Sequence, residues 1–508
     1  MNLDQDLVEK IVARVMSQLQ DNKTQPSVAP TTAGNGIFDT VEDAITAAYV
    51  AQRQWLRTSK EIKADVIAAL RATMHEYAAD FAHRAREETG MGRLEDKIIK
   101  HHNVADVTPG LEDLESKSWT GDKGLVVEDW APYGVIAAVT PSTHPIPVML
   151  NSTIIMIAPG NSVVFNVHPA AKNVSAFALD IFNSVIQKHG GPPNLITMIK
   201  EPTLESAKAL FNHPRIPMIV ATGGPGPVNA AFEAGKKVIA AGPGNPPVLV
   251  DETANIQDAA RFIIEGASFD NNIICIAEKV VFVVQSVFDK FMRAMATAGA
   301  IQLNASQIST LTLKAILKAE SGEYYASREF IGKNANVLAR AVGLDLSDDV
   351  RILFGQTDFE HPFVQAEQMM PFLPIVPVKD VDEGIELSYQ AEHQFGHTAI
   401  IHSNSMHNIT AFTQKMDTDI VAVNGPSLAG LGPHAGEAYF SHTLASPTGE
   451  GVCTPRNFAR VRRLAIFKSL QIVLQPSHCE VIRLKMMHRI LRIHFTFARD
   501  RNSYAECG

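Results

Sequence analysis

A chain of 508 residues, 46% apolar and 19% charged, has the make-up of a globular protein of two or three domains, not of a disordered or fibrous one. Its net charge of -9 argues against nucleic acid as the main partner, because such binders present a basic face to phosphates. The four cysteines, Cys275, Cys453, Cys479 and Cys507, make no CxxC pair, which excludes a disulfide framework or a cysteine-rich zinc site and suits a reducing cytosol. No apolar run is long enough to span a bilayer, and acids stand near the N-terminus where a secretory signal carries bases, so the expectation is a soluble cytoplasmic protein with no membrane partner.

Residues 1–20 place Leu3, Leu7, Val8, Ile11, Val12, Val15, Met16 and Leu19 at helical spacing, an apolar stripe on a short amphipathic helix. Residues 21–36 follow as a linker rich in Pro, Ser, Thr and Gly. A helix this short is marginal alone and gains stability by burying its stripe, either on its own subunit or a neighbour, or on another protein that it addresses. From 37 to about 118 the pattern is helical. Short β-branched runs then appear at 135–139, 162–166, 195–199, 218–222 and 238–241, with helical segments around 171–188, 203–211 and 226–234. That alternation predicts an α/β fold, a parallel sheet with helices on its faces in a Rossmann-type nucleotide domain. A second alternating block runs from 248 to about 430. The stretch 464–508 is basic, with Lys468, Arg483, Lys485, Arg489, Arg492, Arg499 and Arg501 against three acids, and reads as foreign to the compact fold, either an appended helix or an altered reading frame.

A cysteine in an apolar run is usually an inert core residue. Cys275 differs in that Gly266, Ser268, Asp270, Asn271 and Asn272 lead into it. Such a loop can expose a thiol at a domain boundary, where a helix N-terminus would lower its pKa and make it a covalent nucleophile. The glycine-rich ATGGPGPVNAAFEAGKK (221–237) follows a strand and opens a helix, the setting of a phosphate-binding turn, although it lacks the GxGxxG fingerprint. His361, His393, His397 and His442 fall into no recognised metal spacing, so no metal is expected.

The ordered set VTPSTHP (139–145), APGNSVVFNVHPAAK (158–172), ATGGPGP (221–227), AGPGNPPVLVDET (241–253), FDNNIICIAEK (269–279), EQMMPFLPIVPV (367–378) and SPTGEG (446–451) resembles the aldehyde dehydrogenase superfamily. More narrowly, it is similar to the CoA-acylating acetaldehyde and propionaldehyde dehydrogenases of bacterial microcompartments, over residues 37 to 463. The resemblance implies an NAD-binding domain (37–245), a catalytic domain (246–435) and a return to the first domain (436–463). A small oligomerisation element is drawn from 124–134 and from 452–463, in a homo-oligomer. It implies Cys275 as nucleophile, forming a thioester with a short aldehyde. It implies a cofactor site at Thr140, Pro141, Asn166, His168, Pro169, Thr222, Gly223, Gly224 and Gly242, with Glu367 holding the nicotinamide ribose. Residues 1–20 become a candidate encapsulation helix that docks on a microcompartment shell protein or a partner enzyme.

Three departures from the hydrolytic relatives carry information. Ala241 or Gly242 stands where those enzymes carry a water-activating glutamate, and general-base help is worth ~10²–10⁴-fold, so coenzyme A is the expected acyl acceptor. The oxyanion-binding asparagine is replaced by PSTHP, leaving Thr143 or His144 as donor. The adenosine-ribose lysine is replaced near Asn166, which offers no cation for a 2′-phosphate and favours NAD over NADP.

Overall fold

The computed structural model describes residues 32–431 and 436–470. The expected helix at 1–20, most of the linker and the tail beyond 470 lie outside the described residues. The described residues divide into two compact units, one holding 32–113 together with Pro132–Phe458, the other Leu114–Ala131 together with 459–470.

The larger unit contains two seven-stranded sheets. In the first, the strand order is Thr32–Gly34, Ile37–Phe38, Ile196–Ile199, Ser162–Val167, Val135–Thr140, Met218–Thr222, Lys237–Ala241. All neighbouring pairs are parallel except the first, a short antiparallel pair at the edge. Val135–Thr140 and Ser162–Val167 are buried along their whole length, because helices cover both faces of an all-parallel centre and leave no polar side. The second sheet is parallel throughout, in the order Ile301–Gln302, Leu353–Gln356, Phe372–Val378, Val280–Val284, Pro247–Val250, Thr398–His402, Ile420–Val423. In the first sheet the connection order reverses between Val135–Thr140 and Met218–Thr222, and a parallel sheet binds its ligand in the crevice beyond the strand ends at such a point.

The helical expectation over 37 to 118 needs correction at both ends. Residues 37–38 are strand, and the helices Val41–Trp55, Lys60–Thr89 and Leu94–Val107 give way to a single 3₁₀ turn at Leu111–Asp113 and a strand at Lys117–Gly121. Pro109 explains the stop: a residue before proline is driven out of the helical region, and Thr108 is extended (φ -68, ψ 118). Helix Leu94–Val107 also buries Asp96, Lys97, Lys100, His101 and Asn103 on its inner side, where an amphipathic helix normally carries apolar residues.

In the smaller unit, Ala459–Phe467, Gly124–Pro132 and Lys117–Gly121 form a three-stranded sheet. Residues 464–467 of the basic stretch thus complete a strand of the fold, contrary to expectation. Trp119, Leu464 and Phe467 are exposed on this sheet.

Candidate active site

Beyond the strand ends of the larger unit lies a cavity of about 1340 Å³, and every residue named for catalysis or cofactor binding in the sequence lines it. Thr140 and Pro141, at the end of strand Val135–Thr140, stand on the wall with Ser142, Thr143 and His144. Asn166, His168 and Pro169 form a second part, Thr222, Gly223, Gly224, Ala241 and Gly242 a third, and Cys275 and Glu367 a fourth.

The floor fits a dinucleotide. Thr140 and Thr222 end the two strands that flank the crossover, and both hydroxyls are buried without a protein partner. Gly223 (φ +156) and Gly224 have open space where a Cβ would project, and Gly224 caps the helix Pro225–Glu233. Gly223 gives its N–H to the Ala241 carbonyl (3.3 Å) and Pro225 and Pro227 have none, so the amide donors at that helix start are those of Gly224 and Gly226. Asn166 plays another part: its amide donates to the Thr203 carbonyl (3.2 Å) and accepts from the Ser206 hydroxyl (2.5 Å), tying the strand to the start of helix Leu204–Asn212. His168 accepts at Nδ1 from the Ala170 N–H (3.1 Å), and partial burial with the charge of Arg328 lowers its pKa.

Cys275 follows three consecutive residues in the left-handed region, Asp270 (φ 46), Asn271 (φ 56) and Asn272 (φ 65). Asp and Asn tolerate that conformation better than other non-glycine residues, and here every side chain is tied down. Asp270 accepts from the Arg93 N–H (2.8 Å), from Lys97 (3.3 Å) and from Lys100. Asn271 accepts from Arg93 Nε (3.1 Å) and donates to the Gly332 carbonyl (2.9 Å). Asn272 donates to the carbonyls of Ala267 (2.7 Å) and Glu278 (2.9 Å). The turn is therefore rigid, and it aims the following residues at the cavity.

The expected lowering of the thiol pKa is not met. Burial, and then the charge of Glu367, push Cys275 up to about 12, opposed by the Lys279 cation and by backbone N–H groups. The feature at fault in the sequence reading is the helix N-terminus: Cys275 follows a 3₁₀ turn and opens no helix. Glu367 is itself raised by burial, and held down by Lys279 and a hydrogen bond from the Gly244 N–H. Lys279, also buried, is lowered to about 8 by desolvation. His144 receives a hydrogen bond at Nδ1 from Lys100 (3.0 Å), and Thr143 offers its carbonyl to Lys97 (3.5 Å). Lys97, Lys100 and Lys279 escaped the sequence reading, although lysines on the inner side of Leu94–Val107 are visible as breaks in its apolar stripe.

Residues 24–437 match the model of the aldehyde dehydrogenase family. The chain belongs to the aldehyde dehydrogenase family. Within it, the chain is 43% identical over 474 residues to an acetaldehyde dehydrogenase (acetylating) of Salmonella typhimurium, covering 93% of this chain and 100% of that one. It is 38% identical to a propanal dehydrogenase (CoA-propanoylating) of the same organism, over 92% and 99% of the two chains. Among solved structures it resembles a propionaldehyde dehydrogenase from the fucose utilisation bacterial microcompartment of Clostridium phytofermentans, with a TM-score of 0.83, 41% identity, and 86% and 100% of the two chains covered. A propionaldehyde dehydrogenase of Rhodopseudomonas palustris, solved with bound CoA and an acylated cysteine, also gives 0.83 at 38% identity, over 87% and 100% of the chains. Two features of the aldehyde dehydrogenase chain bear on membranes and metals: no helix among the described residues is long and apolar enough to cross a membrane, and these residues contain no group of three or more His, Cys, Asp or Glu poised for a metal.

Proposed function

We propose that this chain is a CoA-acylating aldehyde dehydrogenase, turning a short aldehyde such as acetaldehyde or propionaldehyde, NAD and coenzyme A into acyl-CoA and NADH through a thioester on Cys275. The observation that carries the reading is the placing of Cys275 on one cavity wall with the phosphate-binding turn at Gly223 and Gly224, while Ala241 and Gly242 present no carboxylate. The cysteine sulfur forms a bond to the aldehyde carbon as its proton leaves, and the resulting oxyanion takes hydrogen bonds from the Cys275 N–H and from His144 or Thr143. When bound, NAD supplies the hydride acceptor and coenzyme A the thiol that takes the acyl group. Attack of that thiol on the thioester forms a new bond to the acyl carbon and breaks the bond from that carbon to the Cys275 sulfur, which takes up the proton that the incoming thiol loses.

The resting thiol is neutral, so its ionisation depends on the charges around it. Glu367 is the proposed acceptor for the ribose hydroxyls. Once its charge is engaged there, the Lys279 cation dominates the field at the sulfur and favours the thiolate. NAD is preferred to NADP in this reading because the amide of Asn166 is already engaged and carries no charge. In the proposed division, residues 37–245 bind the cofactor, 246–435 carry the catalysis, 436–463 return to the first domain, and 124–134 with 452–463 serve a homo-oligomer. Residues 1–20 direct the enzyme to a microcompartment shell, their apolar stripe lying in a groove of a shell protein. Fusion of these residues to a fluorescent protein in shell-building cells is expected to give punctate fluorescence, and diffuse fluorescence counts against the role.

The central test is turnover with and without coenzyme A in the native chain and in Cys275→Ala. Sustained NADH formation is expected only with coenzyme A, with acyl-CoA as product and none from the alanine variant. Free acid formed at a rate indifferent to coenzyme A, or turnover by the variant, overturns the reading.

A further inference from the structure

Helix Leu94–Val107 has no residue in the cavity lining, yet two of its lysines reach the cavity wall, Lys97 at the Thr143 carbonyl (3.5 Å) and Lys100 at the His144 ring (3.0 Å). Lys100, 1% exposed, directs its ammonium to two acceptors, Asp270 Oδ2 and His144 Nδ1, the latter at 3.0 Å. An ammonium has only donors, so Nδ1 of His144 must be the acceptor and cannot carry a proton. Burial and the neighbouring Lys100 charge both disfavour the imidazolium. The neutral ring therefore has one proton left, on Nε2, and a residue of the cavity wall offers one N–H donor in a ring held at its other nitrogen. The same Asp270 carboxylate that holds Lys100 belongs to the left-handed turn before Cys275, so the donor and the nucleophile are fixed from one buried ion cluster.

We propose that Lys100 is a positioning residue, which fixes His144 as a neutral Nε2–H donor to the oxyanion formed on Cys275. The proposal rests on the thioester reading above. Lys97 is the natural control, since it shares Asp270 with Lys100 but gives its remaining contact to the Thr143 carbonyl and not to His144.

The test is a cycle in the full chain, read as the rate of the first NADH burst from aldehyde before coenzyme A is added. Lys100→Met is expected to slow the burst about 10- to 100-fold, the range for losing an outer-sphere partner or weakening an oxyanion donor, with little change in aldehyde KM. His144→Asn supplies an amide donor that has no tautomer to fix, so the burst survives at a reduced level and adding Lys100→Met slows it less than about 2-fold further. Lys97→Met is expected to slow both backgrounds equally. Lys100→Gln is run through the same cycle, so that a folding failure of the methionine variant leaves the result readable. Equal losses from the Lys100 change in both backgrounds mean a merely structural lysine and overturn the proposal, as does an unchanged burst in Lys100→Met. Absence of acyl-CoA from the native chain would instead defeat the thioester reading itself, which keeps the two failures apart.

Discussion

The Lys279 ammonium donates to both oxygens of Asn272, to the carbonyl at 2.8 Å and to Oδ1 at 2.6 Å, and so clasps the end of the left-handed turn that leads to Cys275. Its third hydrogen bond goes to the Ile274 carbonyl, at 3.0 Å, one residue before the cysteine. A buried cation thus holds the nucleophile's backbone and lowers the cost of ionising its thiol.

Opposite shifts of the Cys275 pKa are expected from the two groups that act on it. Glu367→Gln removes a negative charge that raises the thiol, and should move the pH midpoint of iodoacetamide labelling down; Lys279→Met should move it up. Labelling is followed on the Cys275 peptide by mass spectrometry, so that the other cysteines do not contribute. A midpoint that fails to move in Glu367→Gln would show that the Glu367 charge does not act on the thiol.

Asp270→Asn isolates the charge of the turn from its shape, because asparagine accepts the left-handed backbone as readily as aspartate. The substitution leaves Lys97 and Lys100 buried against a neutral amide. Removing one member of a buried ion pair costs about 3–5 kcal/mol, and a loss of that size is expected in urea unfolding. A loss below about 1 kcal/mol would mean that water or a rearranged side chain takes the carboxylate's place.

Gly242→Glu is expected not to create a hydrolytic enzyme. A Cβ at Gly242 would stand 2.8 Å from Cγ of Pro447, a ring with no flexible end to give way. Overpacking of this kind costs about 1–3 kcal/mol, and a side chain displaced by such a clash is poorly placed to act as a general base. Chromatography of the products should show acyl-CoA still dominant and a lower melting temperature. Carboxylate as the main product would show that the wall yields.

The sheet and the cavity lining were legible in the sequence because both depend on local pattern. Val135–Thr140, Ser162–Val167 and Met218–Thr222 are short, apolar, β-branched runs between breakers, and each residue named for catalysis or cofactor binding falls on the cavity beyond their ends. The ion cluster was not legible, because Lys100 and its partner Asp270 are 170 residues apart and no window contains both. The direction of the Cys275 shift was misread for a related reason. Small polar residues before a cysteine suggest an open loop, whereas Asp270, Asn271 and Asn272 are themselves buried and spend their polar groups on Arg93, Lys97, Gly332 and Ala267. Asn166 was correctly seen to carry no charge, but its use as a clamp on Thr203 and Ser206 required the fold.

Acid should destabilise the folded chain from about pH 6.5 downward, and the sign follows from its buried histidines. His101, His397 and His442 are held at about 3 and His402 at about 4 by desolvation, against 6.5 for the unpaired group. Their folded pKa values lie below the unfolded one, so between the two the unfolded chain binds more protons and stability is lost as pH falls. Glu278, raised by burial to about 7 from 4.5, works in the opposite direction over the upper part of this window. Four histidines against Glu278 leave a net of three protons near pH 5.5, or about 4 kcal/mol per pH unit. Urea unfolding at fixed protein concentration and pH 7, 6 and 5 measures the slope. His101→Gln should reduce it by about 1.4 kcal/mol per unit, since Nε2 of His101 is buried without a partner and only its proton uptake on unfolding is lost from the slope. A stability that rises between pH 6 and pH 5 would mean that the buried carboxylates, with Glu278 foremost, outweigh the histidines.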